Sequence, residues 1–420
     1  MPIFAFAIFI TLIAATAEAR ETAKVLPAGI HRARLVGVVT SEVKDTLNES
    51  GQAQGLTHSL NRTVTVSDMA ARASAADQAK LNSLISGLNS LQPGLGNQLA
   101  GSPTNLYSDM SVNQQVMLAA FERGITDRFS VGIRAPIVKR SIRHSFRVQR
   151  SGNAASIQQM MGTLSPEMSA GLATLAGMDT AYFESSLFTS KGYEAPTDFE
   201  KTQLGDVEFG GKWNFLHSDH ANTTAQLGAA APTGAKSSLR NPFDKGNSRE
   251  AWSYAVQLFQ EIYPARGLTF GAASKLGYSF KDTRERAVPK SADDSLPSLL
   301  PADGQVQNVT RQRGYQWESE ASAYYRLPGE MFGFWGAYQY GQKGKDSFKG
   351  PGNLYYAGLE KGTDWKVQSG ELGAEVSMIS AFRKGRFAVP MEVSLLYNKT
   401  LAGKNTPLSS YTRLDLMVYF

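Results

Sequence analysis

From residue 28 onward, apolar and polar residues alternate with a period of two. Successive side chains of a strand point to opposite faces, so the pattern predicts strands with one apolar and one polar face. In Gly205–His217 one face reads Val207, Phe209, Gly211, Trp213 and Phe215. The other reads Asp206, Glu208, Gly210, Lys212 and Asn214. In Asp127–Lys139, Phe129, Val131, Ile133, Ala135 and Ile137 oppose Ser130, Gly132 and Arg134. Ala251–Ile262, Tyr315–Leu327 and Val389–Tyr397 repeat the scheme. The alternation lasts 10–16 residues. That exceeds the roughly 5–6 of a soluble strand and suffices for the ~9–11 that cross a membrane.

About twelve strands are predicted, at 28–41, 111–123, 127–142, 203–216, 222–234, 250–262, 267–281, 313–327, 331–343, 366–382, 386–400 and 408–420. Tight turns alternate with long connections. The turns are Gly124-Ile125-Thr126, His217–Ala221, Tyr263–Arg266, Pro328-Gly329-Glu330 and Arg383-Lys384-Gly385. The long connections are 42–110, 143–202, 235–249, 282–312 and 344–365, with a short one at 401–407. A soluble β-sandwich also alternates, but it has no reason to place every long loop at one end. Short inner turns, long outer loops and aromatics near strand ends mark an outer-membrane barrel. The expected fold is therefore all-β: a transmembrane antiparallel β-barrel of about twelve strands, with long extracellular loops containing short helices.

Composition agrees. Of 420 residues, 42% are hydrophobic and only 19% charged, with 39 Gly and no Cys. After residue 15 no apolar run approaches the ~18 residues of a membrane helix. The lack of Cys excludes disulfide scaffolds, Cys-based zinc sites and a Cys nucleophile. A net charge of +6, spread along the chain, argues for no nucleic-acid partner.

Residues Pro2–Ala15 are almost wholly apolar and Ala17-Glu18-Ala19 follows. This predicts a signal peptide, residues 1–19, cleaved before Arg20. Residues 20–420 then form one barrel domain, with loop insertions at 42–110 and 143–202. The last strand alternates and ends on Phe420. A terminal aromatic on an amphipathic last strand resembles the signal by which the outer-membrane assembly machinery receives its clients. The expected location is the bacterial outer membrane, with membrane lipid as a partner.

Three phrases carry a family resemblance: "FERGITDRFSVGIRAPIV" at 121–138, "LGDVEFGGKWNFL" at 204–216 and "GAAAPTGAKSS" at 228–238. They resemble the outer-membrane channel family linked to phenol meta-cleavage pathways, over roughly 115–260. The resemblance implies a barrel and transport of small solutes, hydrophobic or aromatic ones included.

Candidate chemistry lies on the inward faces. Early strands carry Arg32, Arg34, Arg134 and Lys212, with Lys275 later. Late strands carry Glu318, Glu320, Glu371, Glu375 and Glu392, with Arg413 and Asp415 beside them. Charges inside a barrel tune selectivity where water or a counter-charge is present. They make either a narrow pore with a basic wall facing an acidic wall, or a salt-bridged plug. Twelve strands lie between small filled barrels and wide porins, so both readings stand.

Helical spacing appears within two loops. Residues 67–91 carry Leu81, Leu84, Ile85, Leu88 and Leu91 behind an N-cap signal at Ser67-Asp68. Residues 154–179 carry Met160, Met161, Leu164, Met168, Leu172, Leu175 and Met178. Met-rich surfaces adapt to varied ligands, so Met160, Met161, Met168 and Met178 are candidates for a loop constriction. The alternative is that the two helices pack on each other.

Beside the channel stands a second reading, a non-conducting outer-membrane surface protein whose long loops bind a partner or envelope component; barrel phospholipases make an enzyme the third, but no enzyme is expected. The chain has no G-x-S-x-G. A Ser–His pair assembled in space is not visible in sequence. His217-Ser218-Asp219-His220 could suggest a metal site, but polar residues are expected in a tight turn. No metal or cofactor is expected.

Overall fold

The computed structural model describes residues 22–58, 61–70, 75–150, 165–195, 197–241, 243–290 and 305–420. The predicted signal peptide lies outside them, as do Met160 and Met161. The described residues fall into two units: those within 22–56, 111–143 and 198–420 form one, and those within 57–110 and 144–197 the other.

Twelve antiparallel strands form the barrel of the first unit, two of them running on into residues of the second, 103–110 and 144–150. In chain order they are β1 His31–Thr40, β2 Pro103–Thr126, β3 Phe129–Arg150 and β4 Val207–His217. Then come β5 Ala221–Ala231, β6 Ser253–Ala265, β7 Leu268–Ser279 and β8 Gln316–Arg326. Last are β9 Phe332–Lys343, β10 Trp365–Ser377, β11 Met391–Lys404 and β12 Ser410–Tyr419. Each strand pairs with its neighbours in sequence, and β12 pairs with β1 from Arg32 opposite Tyr419 to Thr40 opposite Tyr411. The sheet closes on itself, which leaves none of the twelve as a free edge. A lipid phase demands this, because a free edge would strand backbone N–H and C=O groups in hydrocarbon. No helix among the described residues is long and apolar enough to cross a membrane.

The alternation sets which side chains face out. Leu35, Val39, Met117, Val131, Ile133, Leu227, Leu372 and Leu414 are exposed on the outer wall. Aromatics cluster at its two rims. At one rim Tyr278 lies 5.3 Å from both Tyr254 and Tyr315. At the other, Phe420 stacks on His31 at 5.5 Å and approaches Phe121. An apolar band between aromatic girdles is the wall of a protein that sits in the outer membrane.

Tight turns join most strands at the Phe420 end, but the predicted turn Arg383-Lys384-Gly385 lies in a longer connection from Ser377 to Met391 that contains the helix Ile379–Arg383. Gly267 and Gly329 take φ of 80° and 96° in the tight turns, a conformation that a residue with Cβ adopts only with strain. Two departures from the sequence pattern stand out. Strands β2 and β3 run eight residues beyond the predicted 111 and 142. On β3 the outward positions turn polar there (Arg143, Ser145, Arg147) while Ile142 and Phe146 are buried, so the lipid-facing pattern that marks a barrel strand does not continue. The predicted strand 203–216 is broken at Gly205-Asp206 into Phe199–Leu204 and β4. The buried Asp206 carboxylate accepts Gly234 N at 2.9 Å, Ser248 Oγ at 2.7 Å and Arg249 N at 2.6 Å. It pins the 232–249 connection to the barrel.

In the second unit, helices Ala75–Leu91 and Pro166–Gly177 pack together. Their core holds Leu81, Leu84, Leu88, Met168, Leu172, Leu175 and Met178. Gly87 makes room for Met168, because a Cβ there would lie 2.6 Å from its Cγ. Gly171 likewise lets the helix approach the Lys80 carbonyl. Met168 and Met178 are thus buried within this unit.

Candidate functional site: the barrel interior

The interior has an open part and a packed part. A cavity of about 150 Å³ spans the barrel from Glu122 on β2 to Glu318 on β8. These strands are six apart in a ring of twelve, so they face each other. A second cavity of about 60 Å³ adjoins it and shares Gln257, Lys275 and Glu318. No residue of β11 or β12 lines either cavity. There the interior is filled instead. Arg413 and Asp415 on β12, Leu396 on β11 and the neighbouring Val36 and Val38 on β1 are all at most 2% exposed.

The predicted inward residues divide between these regions. Arg34, Arg134, Lys212, Lys275 and Glu318 line the larger cavity, and Glu320 the smaller. Arg32, Glu371, Glu375, Glu392, Arg413 and Asp415 line neither. The charges are paired side by side rather than spread over opposing walls. Arg32 donates to Glu122 at 2.6 Å, and Arg34 to Asp415 at 2.6 Å. Arg413 reaches the same Asp415 at 2.9 Å. Arg134 pairs with Glu208 at 2.5 Å, and Arg249 takes the other oxygen at 3.0 Å. Lys275 lies 3.5 Å from Glu318, and the Lys212 ammonium sits 5.0 Å from the Phe259 ring centre.

The remaining acids have neutral or tethered partners. Trp335 Nε1 donates to Glu371 at 2.8 Å, and Gln339 Nε2 to Glu320 at 3.0 Å. Tyr324 and Arg326 both donate to Glu375, at 2.6 and 2.7 Å. Tyr419 donates to Glu392 at 2.6 Å. Charges buried this deeply persist only with such partners.

Five charged cavity residues lie outside the inward charges predicted from sequence: Glu122, Glu208, Arg249, Arg313 and Lys343. Glu208 was visible on the polar face of β4. Arg249 and Arg313 belong to connections, where no periodicity points inward. Above them the rim is knotted by two carboxylates. Glu250 binds Arg284 at 2.5 Å and Arg311 at 3.1 Å. Asp282 binds Arg286 at 2.5 Å and Arg311 at 2.7 Å. Outside the strands, burial beside Arg284 and Arg140 pushes the Lys245 ammonium down to about 8.

The other end of the interior holds the segment 22–27. Ala23 is fully buried, and its carbonyl accepts Asn214 Nδ2 at 3.2 Å and Thr224 Oγ1. Both partners are buried on the inward faces of β4 and β5. Gly124 admits this strap, since a Cβ there would lie 2.6 Å from the Leu26 carbonyl oxygen.

A Ser–His pair does assemble, in the second unit. Ser108 Oγ lies 2.9 Å from His144 Nε2. Ser108 is 1% exposed, so the hydroxyl is closed to a substrate. At the 217–221 turn, His217 Nδ1 lies 2.6 Å from Asn222 Oδ1, and Ser218 Oγ donates to the Ala221 carbonyl. These are ordinary turn contacts.

Among solved structures, the COG4313 outer membrane channel from Pseudomonas putida F1 is similar in fold. The TM-score is 0.51 at 10% identity, over 96% of this chain and 99% of that one. The transport unit of the autotransporter AIDA-I from Escherichia coli aligns at 0.39 and 8% identity, over 99% and 96%. The toluene transporter TodX of Pseudomonas putida aligns at 0.32 and 10% identity, over 94% and 89%. The last two superpose too loosely to bear on the argument. No family model matches the chain, and no curated protein does.

Proposed function

We propose that the protein is an outer-membrane channel for passive passage of small solutes, hydrophobic or aromatic ones included. One observation supports this above the others: a cavity walled by polar and charged groups crosses the barrel from β2 to β8. A barrel built only as an anchor could fill that space with side chains, as β11, β12 and β1 do on their side. A solved structure similar in fold is named a channel. The resemblance at 121–138, 204–216 and 228–238 extends the proposal to the family linked to phenol meta-cleavage. The assembly machinery would receive the chain through Phe420, which stays half-exposed at the rim.

A second reading is a non-conducting surface protein. The core of the 57–110 and 144–197 unit favours it, because that unit is larger than a loop needs to be. Planar-bilayer recording separates the two. Refolded protein, confirmed by a heat-modifiable gel shift, is expected to give discrete current steps. A silent, folded barrel would overturn the channel reading and leave the surface protein.

A further inference from the structure

We infer that the larger cavity is a binding site for small organic anions, carboxylates in particular; the inference rests on the channel reading above. The cavity wall holds seven cationic side chains against three carboxylates. Each carboxylate is already engaged: Glu122 by Arg32, Glu318 by Lys275, and Glu208 by both Arg134 and Arg249. The ion-pair partners behind the wall are Arg32 and Arg413 on one side, Asp346 and Asp415 on the other. On the wall itself, cations outnumber carboxylates by four.

Arg313 makes the excess local. Among the described residues it forms no salt bridge. Its Nη2 donates to the Arg249 carbonyl at 3.0 Å, and its Nε is buried without a partner. A guanidinium withdrawn from water attracts an anion strongly, and a carboxylate matches its planar fork in two parallel bonds. The low-dielectric wall focuses this field into the cavity. Cations meet the same field as a barrier. The volume of about 150 Å³ has room for roughly ten waters at ~10–15 Å³ each. That suits a small organic acid.

The test uses the full refolded chain in planar bilayers under a potassium chloride gradient. The reversal potential is expected on the chloride side. Benzoate is expected to reduce the chloride current, and neutral benzyl alcohol to leave it unchanged. Arg313→Met with Lys212→Gln should move the reversal potential toward potassium and abolish the benzoate effect. A conducting barrel that prefers potassium, or that ignores benzoate, overturns the site while sparing the channel. A silent barrel overturns the channel, and the site is then read by calorimetric titration of benzoate into the detergent-solubilised protein. Saturable heat that Arg313→Met weakens supports the site; no heat overturns it. The gel shift confirms that each variant is folded.

Discussion

Asp415 shows how single residues hold the filled side of the barrel. It is 1% exposed and accepts from both Arg34 and Arg413. Asp415→Asn would leave two guanidinium groups facing each other with no anion between them. Removing one partner of a buried pair costs about 3–5 kcal/mol. Urea unfolding of the refolded protein should show a loss of that order, whereas Glu42→Gln, on an exposed pair with Lys44, should show almost none. Lys245 adds a pH dependence outside the strands. Its ammonium, ordinarily near 10.5, is lowered to about 8 by burial and by Arg284 and Arg140. Between these values the unfolded chain binds the extra proton, so stability rises with pH across that window. Lys245→Met should flatten the rise in a thermal-unfolding series from pH 7 to pH 11.

At the scale of elements, two close approaches carry predictions. Gly171 lets helix Pro166–Gly177 lie against helix Ala75–Leu91, where a Cβ would meet the Lys80 carbonyl and the Leu84 side chain. Gly171→Val should loosen this helix pair. Limited proteolysis would then cut within 144–197 sooner, while the barrel keeps its gel shift. The strap at 22–27 fills part of the interior beside Asn214 and Thr224. Deleting residues 22–26 should raise single-channel conductance; an unchanged step size would mean the strap does not narrow the path. Much at this scale was legible in the chain. All twelve barrel strands were readable because lipid on one face and a polar interior on the other impose a period of two. The far halves of β2 and β3 were not, because around Arg143–Arg147 the outward face is polar and the apolar residues Ile142 and Phe146 point inward, the reverse of the lipid-facing pattern. The break at Asp206 was hidden too, since its cause is a carboxylate binding residues 28 to 43 positions later.

For the whole molecule, the sequence separated inward from outward positions but could not say which inward positions meet space. Arg34 and Arg413 share a phase and a chemistry, yet Arg34 lines the cavity and Arg413 is buried in the filled side. The difference comes from bulk. Val36, Val38 and Leu396 crowd one side, whereas Gly132, Gly210, Gly228 and Ser130 leave the other open. Cavity position depends on strand register and tilt, which no local pattern encodes. The connections supply Arg249 and Arg313 to the cavity, and they too have no periodicity to read. The central claim is therefore that solutes cross through the β2–β8 side alone.

Single cysteines test this cleanly, because the chain has no native Cys. Gln257→Cys lies on both cavities, and Ser394→Cys lies on β11 among filled positions. A charged methanethiosulfonate reagent added during planar-bilayer recording should block current through the Gln257→Cys barrel and leave the Ser394→Cys barrel untouched. Equal block of both, or block of Ser394→Cys alone, would contradict the account.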